Sequence, residues 1–428
     1  MEVSCEDISF PWQSEGRPPE RFLEFQKWRT AVFQDMQESF DASKLYFLYD
    51  PIADEECFTN QHNGKRGDAG LVIFDTVLRC FTAEIPILTP GRMKFLFALK
   101  CPSSQGSSAF VLVTEERFTN NGQINIYRLE LARDAKSIAN IRPLVQHPIT
   151  VSDRYVVLLR NDTPELVVMV NPGIQISRID CMSEYPHPPI SSFSIPGADL
   201  KQIYDAFLNN GNIVFLSSTD DDHFDNSRVH LINLESPQQI ITQPCIGDPL
   251  RGRPLPRKEC GIDSIGNSII IAGGEYDFGY GGKPERLADY WMLDTRTYQW
   301  TQIPTQMPVQ LIETRLTVAN SGNIYTWGDY DEPINGMEGT HLRLMKICGL
   351  EMAEIRPPIV ESIEDMMARR IAEGEDIPGY QNDSTPFAGH INSGYPEYPQ
   401  YPQDSDSSSN EDHLTPKSRK NKKKCVIM

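Results

Sequence analysis

The chemistry most legible in this 428-residue sequence lies in its last twelve residues, KSRKNKKKCVIM. Cys425 sits four positions from the end, followed by the aliphatic pair Val426 and Ile427 and then Met428. A thiol in that C-a-a-X setting is an isoprenoid acceptor, and methionine at the last position selects farnesyl. One lipid chain holds a protein on a bilayer only marginally, so a second attachment signal is required. Lys417, Arg419, Lys420, Lys422, Lys423 and Lys424 supply it. Each cation contributes on the order of 1 kcal/mol beside an anionic leaflet. The chain carries 40 Lys and Arg against 59 Asp and Glu, a formal net charge of −19, and six of those cations are in this tail. The remainder is more acidic still and repels anionic lipid and nucleic acid, which leaves the tail to do the attracting.

The stretch resembles the prenylated tails of Ras-type small GTPases, upstream basic run included. The resemblance stops at the tail, because no G-x-x-x-x-G-K-[ST] loop exists to cradle a nucleotide phosphate. Ahead of it, SDSSSNEDHLTPKSRK (405–420) is spaced for regulation. Ser408 and Ser409 each have an acidic residue three positions on, Thr415 precedes Pro416, and Ser418 lies inside the basic run. A phosphate on Ser418 would cancel up to about two of the tail's positive charges and loosen attachment.

Other reactive types are scattered. The eight histidines include no H-x-H and no H-E-x-x-H, and the nine cysteines include no C-x-x-C. That pattern reads as reduced cytosolic thiols with no metal centre. DDDHFDNS (220–227) concentrates acid but lacks the spaced ligands and glycine of a calcium loop, so it reads as a solvated loop. RGRPLPRKE (251–259) puts Arg251, Arg253, Arg257 and Lys258 on one strip, read as a solvated loop on a propeller face, with a contact for an acidic partner or lipid as the alternative. No motif displays a catalytic set. The expectation is a chain that is not an enzyme, with no cofactor beyond the covalent lipid.

Composition points to β-structure: 39% hydrophobic residues, 32 prolines and 28 glycines. No N-terminal signal peptide is expected, and no run of about 18 apolar residues is long enough to span a bilayer. Between 43 and 357, short apolar runs alternate with polar Gly- or Pro-bearing loops. Their starts at Leu45, Ala109, Tyr155, Asn212, Ser268 and Asn323 are 64, 46, 57, 56 and 55 residues apart. Each is followed by a second apolar strand, a tight turn and a third strand. A period near 50 residues with about four strands per unit predicts a β-propeller. Six units give six blades, or seven if the termini assemble another.

One unit is more specific. In IIIAGGEYDFGYGGKPERLADYWMLDTRTYQWTQIP, Gly273 and Gly274 end a strand, Tyr290 and Trp291 open the next, and Trp300 lies in a third. This resembles a kelch repeat, in which the glycines permit close backbone approach and the aromatic residues fill the wedge between blades. The other units keep no double glycine, and NSGNIYTWGDYDEP faintly echoes the chromosome-condensation-regulator type of propeller.

The predicted organisation is therefore an N-terminal segment (1–42) with an amphipathic helix over 19–40, carrying Phe22, Phe25, Trp28, Val32, Phe33, Met36 and Phe40. An all-β, six-bladed kelch-like propeller follows (43–357), then a short helix (358–377), a disordered Pro- and Tyr-rich linker (378–416) and the polybasic tail (417–428). The expected role is a protein-interaction adaptor on the cytosolic face of a membrane, the plasma membrane above all, or in the cytosol if unprenylated. Kelch relatives imply actin, small GTPases or ubiquitin-ligase components as partners, with no role for nucleic acid. A ligase substrate receptor and an enzyme with its site at the central channel are the alternatives.

Overall fold

The computed structural model describes residues 1–11, 33–39, 41–50, 69–99, 108–118, 121–132, 135–152, 154–160, 163–209, 211–219, 223–236, 239–277, 284–334 and 337–348. The predicted helix at 358–377, the linker and the tail lie outside them. What is described is a ring of six antiparallel sheets, matching the predicted propeller. The first strand, β1 (Glu2–Pro11), belongs to the last blade.

Blade one is β2 (Phe33–Glu38), β3 (Lys44–Tyr49), β4 (Gly70–Asp75) and β5 (Cys80–Pro86). Blade two is β6 (Arg92–Leu99), β7 (Ala109–Arg117) and β8 (Gly122–Leu131), with β9 (Ile138–Pro143) and β10 (Ile149–Val151) both on β8. Blade three is β11 (Tyr155–Leu159), β12 (Glu165–Val170), β13 (Gln175–Asp180) and β14 (Ser191–Ser194). Blade four is β15 (Ile203–Asn209), β16 (Asn212–Ser217), β17 (Arg228–Asn233) and β18 (Ile241–Pro244). Blade five is β19 (Gly261–Ile265), β20 (Ser268–Ala272), β23 (Asp289–Asp294) and β24 (Gln299–Gln306), with a small hairpin of β21 (Glu275–Tyr276) and β22 (Glu285–Arg286) in its loop. Blade six is β25 (Ile312–Val318), β26 (Ile324–Ile334) and β27 (Met337–Cys348), completed at the rim by β1.

The ring closes through that last pairing. β1 runs antiparallel to β27 from Glu2 opposite Cys348 to Pro11 opposite Gly339. The N-terminal strand thus completes the sixth blade, and the described residues form six blades. The apolar side chains divide into six clusters, one at each interface between neighbouring blades. In β20, Ile269 and Ile271 face blade four while Ile270 and Ala272 face blade six. Burial on both faces explains why these strands read as continuous apolar runs with little alternation.

Two expectations need correction. Residues 33–38, inside the predicted helix, form the innermost strand of blade one. The register shifts by a bulge between Phe33 and Asp35, so Phe33 and Met36, three apart, point to the same interface with blade six. That spacing mimics a helical stripe. The rest of the predicted helix, 12–32 and Phe40, lies outside the described residues. Second, the run at Tyr155 is the innermost strand of its blade, whereas the other five runs are second strands. The short interval of 46 residues before it was the sign of that slip. No helix among the described residues is long and apolar enough to cross a membrane.

Candidate functional site: a locked loop cluster and an acidic ring centre

The residues of the double-glycine unit come together in blade five. Gly273 and Gly274 sit at φ +56° and +95°, in the left-handed region that favours glycine. A side chain on Gly274 would lie 2.6 Å from Cys260 Cβ. Tyr290, Trp291 and Trp300 are buried. Trp291 Nε1 donates to Asp289 Oδ2 at 2.7 Å, and Trp300 Nε1 donates to the Asn226 carbonyl in blade four at 2.9 Å.

Asp289 also receives the guanidinium of Arg257 on both oxygens. Arg257 is 0% exposed and donates further to the carbonyls of Leu255 and Gly273, each at 3.0 Å. Burial opposes the charge on Asp289, but the Arg257 pair outweighs it and holds the carboxyl below its ordinary value. The basic strip is thus corrected at its key residue: Arg257 is the internal lock of a loop cluster. Around it, Lys258 and Glu275 exchange backbone hydrogen bonds, and Phe224 N donates to the Arg257 carbonyl. Of the acidic loop, 220–222 lie outside the described residues, Phe224 is buried, and Asp225 pairs with Arg228 at 2.8 Å.

A second cluster lies on the innermost strands, which line the ring axis. Asp35 in blade one accepts from Met36 N at 2.7 Å and from Leu96 N of blade two at 2.8 Å. Asp263 in blade five accepts from Ser264 N at 2.7 Å and from Val318 N of blade six at 2.6 Å. Both carboxylates therefore staple neighbouring blades. Asp205 in blade four, 5% exposed, accepts from Ala206 N at 2.8 Å. Burial pushes Asp35 and Asp263 up to about 7, and Asp205 well above the carboxylate range. Asp263 adds to this by charge repulsion on both others, and Arg315 of blade six pulls Asp35 back down. Carboxyls held partly protonated near neutrality are the groups that general acid–base chemistry uses.

Sequence reasoning did not find these three acids. Their signal was an Asp five to ten residues ahead of the apolar run in three of the six units, at Asp35, Asp205 and Asp263. Among the described residues, no three His, Cys, Asp or Glu side chains are grouped to hold a metal ion. Cys425, Val426, Ile427, Met428, the tail cations and the candidate phosphorylation residues Ser408, Ser409, Thr415 and Ser418 all lie outside the described residues.

No known protein-family profile matches the chain, and no curated protein does. Solved structures do match in fold. The protein YjhT is similar at 9% identity and a TM-score of 0.45, over 76% of this chain and 98% of that one. The α-L-arabinofuranosidase Arb93A from Fusarium graminearum is similar at 8% identity and a TM-score of 0.45, over 80% of this chain and 97% of that one. Hydrazine synthase from Kuenenia stuttgartiensis follows at 10% identity and a TM-score of 0.37, covering 73% and 77%. These likenesses concern the fold alone. The expectation that the chain is not an enzyme is corrected here, since the solved structures it matches include an arabinofuranosidase.

Proposed function

We propose that this chain is a farnesylated, kelch-type propeller that works at the cytosolic face of a membrane and offers a loop-bearing face of its ring to a protein partner. The observation that carries the reading is the tail, where Cys425, Val426, Ile427 and Met428 follow six cations in a chain of net charge −19. Lipid and basic cluster together supply the two signals that stable attachment requires. The Arg257 lock supports the recognition half, because loops fixed to a rigid frame present a constant surface. Actin, a small GTPase or a ubiquitin-ligase component are the partner classes to test, and a phosphate on Ser418 would weaken the hold on the membrane. The test is the intact mass of the protein from its own cells, with membrane partition of wild type and Cys425→Ser. The reading requires a farnesyl adduct with loss of Val-Ile-Met and a soluble variant. An unmodified tail with unchanged partition removes it.

A second reading, acid–base chemistry at the ring axis, is favoured by Asp35, Asp205 and Asp263. Carbon-13 NMR titration of the aspartate carboxyls tests it. Titration of all three in the ordinary range near 3.8 would remove it.

A further inference from the structure

The pairing of β1 with β27 does more than close the ring. It places Ser9 opposite His341 and Asp7 opposite Arg343. Alternate residues on a strand share a face, and Val3 and Met345, on the same face as these four, pack into the interface with blade five. The four polar residues therefore stand in the seam between blades five and six, at its outer edge. Arg343 Nη1 donates to the Gln306 carbonyl of blade five, and its guanidinium lies 5.8 Å from the Tyr290 ring.

Ser9 Oγ is 2.8 Å from His341 Nδ1, and His341 Nε2 is 3.0 Å from Asp7 Oδ1. Arg343 holds the same carboxylate, Nε to Oδ1 at 2.8 Å and Nη2 to Oδ2 at 3.2 Å. A carboxylate gripped this way only accepts, so the imidazole proton must be on Nε2. Nδ1 is then left with a lone pair, and the hydroxyl that donates to it is that of Ser9. Ser9 is exposed while His341 is 1% exposed. We propose that Ser9, His341 and Asp7 form a nucleophilic triad at this seam, one that accepts acyl groups from small uncharged esters.

The roles follow from the contacts. Ser9 Oγ attacks the acyl carbon as its proton passes to His341 Nδ1. The alkoxide leaves with that proton, and a water activated by the same nitrogen releases the acid. Asp7 and Arg343 are positioning residues that fix the ring and its tautomer. Among the described residues β1 is the rim strand of its blade, so alternate backbone N–H groups along its outer edge are the candidate donors to a developing oxyanion. The substrate class reflects the surroundings. Arg343, the cation of the cluster, is already committed to Asp7 and the Gln306 carbonyl, so an uncharged ester is the fitting class.

The groups facing His341 are Ser9 and Asp7 from β1 and Arg343 from its own strand, with the Tyr290 ring beyond. Burial holds His341 below its ordinary value of 6.5, with Arg343 acting in the same direction and Asp7 against it. The base form therefore persists into mildly acidic solution.

The test uses the full chain and an alkyl fluorophosphonate, which transfers its phosphonyl group to a nucleophilic serine as fluoride leaves and the serine proton passes to the base. Labelling is followed by peptide mass mapping from about pH 5 to pH 9. Adduct on Ser9 is expected, with none in Ser9→Ala, a variant that melts as wild type does. His341→Gln should slow labelling about a hundredfold or more. The rate should rise with pH through a midpoint below 6.5, and Asp7→Asn should move that midpoint lower still. No Ser9 adduct, or a Ser9 rate that shows no such midpoint in wild type, overturns the proposal even if His341→Gln fails to fold.

Discussion

Two arginine–aspartate pairs hold the neighbouring blades five and six, and they differ most in the length of chain between partners. Arg257 and Asp289 are 32 residues apart, while Arg343 and Asp7 are 336 apart. The first pair is sealed: Arg257 is wholly buried and Asp289 is 18% exposed. The second is wetter, with Arg343 7% exposed and Asp7 34%. The first fixes loops within one stretch of sequence, whereas the second joins the two ends of the ring. Burial sets what each pair contributes locally, and chain separation sets what depends on it globally.

Removing residues 1–11 should have the largest effect. Blade six would lose its rim strand and the interface between blades six and one would lose Ile8. The expected outcome is loss of the cooperative thermal transition, followed by circular dichroism. Breaking the pairs one at a time should rank them the other way. Arg257→Met leaves a carboxylate buried without its cation and should cost about 3–5 kcal/mol in urea unfolding. Arg343→Met leaves Asp7 partly hydrated and should cost about 1–2 kcal/mol. Equal costs would break the argument from burial.

Glycines sharpen the same contrast. Gly274→Ala must strain a φ of +95° and displace Cys260, whereas Gly322→Ala in blade six, φ +85°, meets nothing within 4 Å. The first should lose roughly 3 kcal/mol and the second about 1 kcal/mol in the same unfolding assay.

What could be read from the sequence follows the same division. The Gly273–Trp300 unit was legible because its parts are close along the chain and chemically unusual. The β1–β27 pairing was not, since nothing local in Glu2–Pro11 says which strand it meets. Innermost strands were hidden for a different reason: the bulge between Phe33 and Asp35 gives β2 a three-residue apolar spacing that imitates a helix. Arg257 was misread because a basic strip in a loop looks solvated until the partner of one of its cations, Asp289, is placed.

The axial carboxyls give a small predicted effect, and its sign is unusual for aspartates. Their folded pKa values are raised above 3.8 by burial, to about 7 for Asp35 and Asp263. The folded ring therefore binds more protons than the unfolded chain between those limits. The stability these groups contribute is complete at low pH and is lost as pH rises through about 7. Asp205→Asn keeps an acceptor for Ala206 N and removes one of the charges. It should flatten this part of the pH profile and stabilise the protein by about 1–2 kcal/mol at pH 8, measured by urea unfolding. An unchanged profile would show that Asp205 does not titrate in this way.

Ring closure by the N-terminal strand underlies both the fold and the Ser9 site, and a native cysteine allows it to be measured. Glu2 is paired with Cys348, and both are exposed. In a Glu2→Cys variant, mild oxidation should link the new thiol to Cys348, identified by peptide mapping, and raise the melting temperature. A variant that stays unlinked, or links its N-terminus elsewhere while the ring remains folded, would contradict closure through β1 and β27.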